Sequence, residues 1–258
     1  MNTRTLLSTA IGATALFAGF AHAAEPARAE TTSVVIVHGA FADGSDWAKV
    51  IPLLQAAGVK VTAVQNSLES LAGDVATTRR VIASQTGRVV LVGHSWGGMV
   101  ITDAGVDDKV KGLVYVAAFA PDAGQSVEEL GNQYPKPEGL KHLVPDQGGY
   151  LYLSPEGMSK YFAQDLSAKQ TAIMAATQGP IQAKAFGDKV SNAAWSSRPS
   201  WYIVAEKDLM IQPEQERALA KKIGAKVTSL PTSHVPQQSR PADVAKVILD
   251  AVQTVAKQ

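Results

Sequence analysis

Arg88-Val89-Val90-Leu91-Val92-Gly93-His94-Ser95-Trp96-Gly97-Gly98-Met99 is the stretch that decides the fold. Its first half is a continuous β-branched run, the pattern of a strand buried on both faces of a parallel sheet. A helical stretch opens at Trp96, and across the junction lies Gly93-His94-Ser95-Trp96-Gly97, a G-x-S-x-G pentapeptide. Composition alone produces such a pentapeptide on the order of 0.1 times per chain of this length, so its seat between strand and helix is what gives it weight. A turn that tight holds its serine at strained backbone angles with the hydroxyl exposed, and side chains on the flanking glycines would collide with strand and helix. Phosphate binding is a poor alternative, because this turn has no G-x-G-x-x-G and the chain has no G-x-x-x-x-G-K-[ST].

Working outward, residues 33–37, 60–65, 112–118, 200–205 and 226–230 are further β-branched runs. Helical patterns fall at 46–57, about 68–85, 96–105, 213–223 and 241–256. Strand-helix alternation predicts an α/β fold: a mostly parallel sheet of about six strands, helices on both faces and right-handed crossovers. The alternation breaks at about residues 121–195, a Pro/Gly-punctuated insertion helical in parts (155–164 and 167–178) that carries four of the six tyrosines together with Phe162, Phe186 and Trp195. Long insertions in compact domains are usually functional, so a helical lid over a pocket at the carboxyl ends of the strands is expected. Phe41, Trp96, Tyr150 and Tyr152 are the expected pocket residues.

A serine hydroxyl is a weak nucleophile and needs a base, normally a histidine held by a carboxylate. Beyond residue 23 the histidines are His38, His94, His142 and His234. His94 lies inside the turn and points away from the serine oxygen, His38 follows a strand and fixes a loop, and His142 sits in the insertion. His234 follows the last strand, at the sheet edge where Ser95 emerges, and is the candidate base. The acid belongs between them in chain order. Asp208, just after the run 200–205, is the best placed; Asp122 is its rival. For a developing oxyanion two backbone N–H groups are needed, one from Trp96 and one from the loop His38-Gly39-Ala40-Phe41, where Ala40 is the candidate.

Val37-His38-Gly39-Ala40, Gly93-His94-Ser95-Trp96-Gly97-Gly98-Met99, Ala117-Ala118-Phe119-Ala120-Pro121-Asp122, Tyr202-Ile203-Val204 through Asp208, and His234 together resemble the α/β-hydrolase superfamily, and within it the small methyl-esterase and hydroxynitrile-lyase branch. The resemblance spans about residues 34–252. It implies a triad of Ser95, Asp208 and His234, an oxyanion hole from the N–H groups of Ala40 and Trp96, and no cofactor or metal. The expected activity is hydrolysis of carboxylic esters of small or medium uncharged substrates through an acyl-enzyme. A lyase or carbon–carbon hydrolase on the same scaffold, and a ligand-binding relative with a silent triad, are the alternatives.

Composition narrows the partners. The 258 residues carry 24 Lys+Arg against 23 Asp+Glu and no cysteine, which removes disulfides, thiolate metal sites and cysteine nucleophiles and argues against nucleic-acid binding. Residues 1–23 hold one charged side chain, Arg4, then a mostly apolar run and Ala21-His22-Ala23, the small-x-small form cut by a signal peptidase. A cleaved signal peptide at 1–23, a mobile leader at 24–32, one domain at 33–258 and a periplasmic or secreted location are expected, with no integral membrane segment after cleavage. Oligomeric state is not written in the pattern. Loss of Arg4 leaves 23 basic against 23 acidic residues, a balance that favours a small uncharged ester as partner.

Overall fold

The computed structural model describes Met1 and residues 31–257. Residues 2–23 of the expected signal peptide and residues 24–30 of the expected leader lie outside the described residues. Within them the order is β1 (Thr32–Val37), α1 (Ile51–Ala56), β2 (Lys60–Val64), α2 (Leu71–Ala83), β3 (Arg88–His94), α3 (Gly97–Ala104) and β4 (Val110–Val116). The insertion follows with α4 (Val127–Gly131), β5 (Leu143–Pro145), β6 (Tyr150–Leu153), α5 (Pro155–Gly157), α6 (Ala168–Thr177) and β7 (Ile181–Gln182). The chain then returns through β8 (Ser200–Ala205), α7 (Pro213–Lys222), β9 (Lys226–Leu230), α8 (Pro236–Ser239) and α9 (Pro241–Val255).

Six strands form one parallel sheet in the order β2-β1-β3-β4-β8-β9. Alternate residues of each strand face opposite sides. Val35, Val37 and Leu91 enter one core with α2, α3 and α7, while Val34, Ile36, Val90 and Val92 enter another with α1 and α9. Both sides are therefore dry, which is why these strands are uninterrupted apolar runs. In α9 the buried Val244, Val247, Ile248, Ala251 and Val255 recur at helical spacing and cover the second core.

Two expectations are corrected. The leader ends earlier than residue 32, because Thr32 already pairs with Arg88 in β1 and Thr31 O accepts from Arg88 N at 3.1 Å. The insertion is also more than helical: β5, β6 and β7 make a three-stranded antiparallel sheet, and residues 155–164 form only the short α5 and a π-turn at Met158–Phe162. Such short strands leave too little periodicity to be read from sequence. Among the described residues no helix is long and apolar enough to cross a membrane.

Strand order reverses between β1 and β3, since β1 leads outward to β2 and the chain returns to β3 on its other side. The loops after β1 and β3 diverge at such a switch point and leave a crevice at the carboxyl ends of the strands. His38-Gly39-Ala40-Phe41 and the Ser95 turn both sit there.

Candidate active site

The turn after β3 is as tight as its glycines suggested. Ser95 has φ 51°, the left-handed region that side chains rarely occupy. Val116 O at the end of β4 accepts from Ser95 N at 3.2 Å, and Ser95 O accepts from Phe119 N at 3.3 Å. A Cβ on Gly97 would run into Val37 O, so the first turn of α3 presses on the end of β1. A Cβ on Gly39 would come within 2.9 Å of Ser95 Cβ, which brings the Ala40 loop against the serine. Ala40 and Trp96 both line the cavity above Ser95, and among the described residues neither backbone N–H donates to a protein acceptor.

Asp208 follows β8 by three residues and His234 follows β9 by four. Backbone bonds lace the two loops together: Glu206 N to Leu230 O at 2.9 Å and Lys207 N to Thr232 O at 3.0 Å. His234 Nδ1 meets Asp208 Oδ2 at 2.5 Å, with both side chains buried. Asp208 Oδ1 accepts from the N–H groups of Met210 at 2.6 Å and Ile211 at 2.9 Å. With Nδ1–H donating to this carboxylate, the other ring nitrogen of His234 keeps its lone pair. Ser95 and His234 line the same cavity. The Ser95 hydroxyl is not hydrogen-bonded to His234 here; bonds of this kind commonly tighten once substrate is seated.

The rival acid is elsewhere. Asp122 Oδ2 takes Lys222 Nζ at 3.0 Å on the surface. His94 donates from Nε2 to the His234 carbonyl at 2.7 Å, and burial, reinforced by the charge of His234, drives its pKa well below the ordinary imidazole range. It is thus neutral and braces the His234 loop. His38, also lowered by burial, bonds Gly39 O through Nδ1 at 2.8 Å and takes Asn66 N on Nε2 at 3.0 Å, holding the loop after β1. His142 stacks on Tyr161 with ring centroids 4.3 Å apart and does not reach the cavity.

The cavity measures about 60 Å³, and apart from Ser95 and His234 its walls are apolar: Ala40, Phe41, Trp96 and Phe119 from the sheet loops, Met210 and Ile211 after Asp208. The insertion closes it with Leu140, Phe162 and Phe186. No charged side chain lines it. Larger grooves of about 240 and 720 Å³ hold no member of the candidate triad, so size does not choose the site. Among the described residues no group of three His, Asp or Glu side chains gathers as metal ligands would.

Phe41 and Trp96 are where the sequence reading put them, whereas Tyr150 and Tyr152 are not. Neither tyrosine lines the cavity. On β6 the alternation buries Leu153 and turns Tyr152 outward on the same face as Tyr150, which lies over the turn at Gly148. Sequence reasoning also passed over the supports of the site. Buried Asp74 takes Trp96 Nε1 at 2.9 Å and Leu68 N at 3.1 Å. Two neighbours in the insertion hold the loops that carry Asp208 and His234: Gln164 Nε2 donates to Lys207 O at 2.6 Å, and Asp165 Oδ2 accepts from Ser233 N at 2.9 Å. For Asp74 a signal existed, a carboxylate on the apolar face that Leu71, Val75, Thr78 and Ile82 define; for Gln164 and Asp165 none did.

This fold, with a serine on a strained strand-helix turn, a histidine–aspartate pair across from it and two free amides beside it, defines a serine-hydrolase architecture. The chain belongs to the alpha/beta hydrolase family, which it matches over residues 34–247. It is 28% identical to methylesterase 2 of Arabidopsis thaliana over 242 residues, covering 80% of this chain and 90% of the relative. It is 28% identical to polyneuridine aldehyde esterase of Rauvolfia serpentina over 247 residues, covering 84% and 94%. Pyrethroid hydrolase of Sphingobium wenxiniae is 25% identical over 253 residues, covering 85% and 87%. A solved structure of a pyrethroid hydrolase superposes with a TM-score of 0.74 at 25% identity, covering 88% of this chain and 99% of that one.

Proposed function

We propose that this chain, a carboxylic-ester hydrolase of the α/β-hydrolase type, cleaves esters of small or medium uncharged substrates through an acyl-enzyme on Ser95. The observation that carries the reading is the apolar cavity whose only polar side chains are Ser95 and His234, with His234 held by Asp208 from behind. Ser95 Oγ attacks the ester carbonyl carbon while His234 Nε2 takes its proton, and the oxyanion is received by the N–H groups of Ala40 and Trp96. His234 then gives the proton to the departing alkoxide, leaving the acyl group on Ser95. Water attacks next, its proton passing to His234 and back to Ser95 as the acid leaves. Asp208 fixes the tautomer and steadies the imidazolium.

Walls without charge support an uncharged acyl group, and a volume of about 60 Å³ lies well below the roughly 300 Å³ at which drug-sized pockets begin. Leu140, Phe162 and Phe186 over the serine, and Gln164 and Asp165 on the triad loops, support a lid role for the insertion. The pattern of residues 1–23 supports export to the periplasm or beyond.

The test is an ester panel of graded acyl and alcohol size. Short, neutral acyl groups are expected to turn over fastest. Ser95→Ala is expected to fold normally and to lose turnover by several powers of ten. Phe186, which meets Trp96 edge-on at 6.0 Å, is the wall to move: Phe186→Ala is expected to shift the acyl optimum toward longer chains. Full turnover by folded Ser95→Ala, or a wild-type chain fastest on long-chain triglycerides, would overturn the reading.

A further inference from the structure

Behind the triad sits an acid that the mechanism above does not use. Glu216 lies in the first turn of α7 and is fully buried. Its Oε2 accepts from Ala205 N, the last residue of β8, at 3.0 Å. Its Oε1 is buried with no donor to receive from. Ala205 also accepts from Asp208 N at 3.1 Å, so two buried acids, Glu216 and Asp208, are anchored on the same residue, and the Asp208 carboxylate is the charge that acts most on Glu216. Two ionised carboxylates so placed repel each other in a dry interior, and a bond between them requires a proton on one. Asp208 already accepts from Met210 N, Ile211 N and His234 Nδ1, so the proton belongs to Glu216.

We propose that Glu216 is a positioning residue of the triad: a neutral carboxylic acid that donates its O–H to Asp208 while accepting from Ala205 N–H, and so sets how strongly Asp208 holds protonated His234. The proposal rests on the triad reading given above.

The surroundings agree. Burial first, then the charge of Asp208 and the bond to it, pushes the Glu216 pKa well above the ordinary carboxylate range, and Glu206 adds to the push. Opposing it, the Ala205 N–H favours the anion, as does the amino end of α7, whose effect on one charge is small. From α7 the nearby cation is Arg217, which is spent on Glu206 and Glu214 at the surface. From β8 comes Tyr202, whose own pKa burial and the two carboxyls hold well above the phenol range, so it stays neutral. No cation among these groups is left to pair an ionised Glu216.

A hydrogen bond donated to Asp208 makes that carboxylate a poorer acceptor for the imidazolium. The acid limb of the pH–rate profile then lies lower than it would without Glu216, and the esterase keeps activity further into acid. Glutamine reproduces both bonds, with its amide N–H on Asp208 and its oxygen on Ala205 N–H. Leucine fills the space and makes neither.

The experiment is the pH–rate profile of kcat/KM for wild type, Glu216→Gln and Glu216→Leu. Glu216→Gln is expected to keep the acid limb where it is, and Glu216→Leu to move it upward by roughly half a unit to one unit. A limb that moves downward by half a unit in Glu216→Gln would mean that an anion had been removed, and an unmoved limb in folded Glu216→Leu would mean a filler of space; either overturns the proposal. Because Glu216→Leu leaves Ala205 N–H unpaired and can fail to fold, infrared difference spectra of wild type against Glu216→Gln at neutral pH provide a readout independent of activity. The carbonyl band of a protonated acid is expected in wild type and absent from the variant, and its absence from wild type overturns the proposal. Retained turnover in Ser95→Ala would instead sink the triad reading and leave the infrared result standing.

Discussion

Asp208 and Asp122 show how much of the site a single residue's surroundings decide. Both follow strands of the parallel sheet, and chain order allowed either to orient the base. Asp208 meets His234 Nδ1 at 2.5 Å inside the protein, while Asp122 is spent on Lys222 in solvent. An exposed pair of that kind stabilises by at most about 1 kcal/mol, so Asp122→Asn is expected to leave kcat within a factor of two or three. Asp208→Asn places an amide where Nδ1–H must donate, disfavours the working tautomer, and is expected to lower kcat by about 10⁴-fold. Steady-state kinetics of the two purified variants decides, and a reversed ranking would move the acid to the earlier strand. The candidate nucleophile, base and oxyanion loop could be picked out because each sits at a fixed offset from a strand end, and the structure brings them to one cavity. The tyrosines were misjudged because composition says that an insertion is aromatic and not which face of a short strand looks inward. Glu216 carried a signal that went unread: a charged residue three and seven positions before Leu219 and Ile223, on the buried stripe of α7.

At the scale of elements, the continuous runs made the sheet readable, and every main strand lies within two residues of its expected bounds. Helix starts were less well placed. The expected helix at 46–57 divides into a 3-10 turn at Gly44–Trp47 and α1, because Pro52 fits the first turn of a new helix and not the interior of an old one. The insertion was opaque for a different reason: β5 and β6 form a hairpin of only three and four residues, and β7 is held by pairing with a segment far along the chain, Leu151 with Ile181. The elbow joins these elements through the contact of Gly97 with β1. Gly97→Ala adds one carbon where Val37 O already lies, and neither backbone can yield without disturbing β1 or α3. A destabilisation of at least about 2 kcal/mol is expected, read as a lower midpoint in urea. An unchanged midpoint would show that strand and helix are looser at the elbow than their spacing implies.

For the whole molecule, the buried acids and histidines tie stability to pH from both sides. Glu216, Asp46 and Asp74 are each raised by burial in the fold. Once pH passes their unfolded values of about 4, the unfolded chain releases protons that the folded chain keeps, so their contribution is lost as pH rises toward the folded values. His38 and His94 are lowered by burial, so theirs is lost as pH falls below the unfolded value of about 6.5. Glu216→Gln removes one of the acid contributions. Its stability relative to wild type is expected to grow with pH above about 4.3, at up to about 1.4 kcal/mol per pH unit, until Glu216 ionises in the fold. Thermal melts of the two proteins across pH give the difference, and a constant gap would mean that Glu216 is ionised in folded and unfolded chains alike. The central claim, however, concerns one oxygen. Treating the purified chain with a fluorophosphonate and mapping the adduct by peptide mass spectrometry tests it most directly. The expected result is one adduct per chain, on the peptide containing Ser95, abolished by Ser95→Ala and greatly slowed by His234→Ala. A folded protein that forms no adduct, or forms it on another residue, would contradict it.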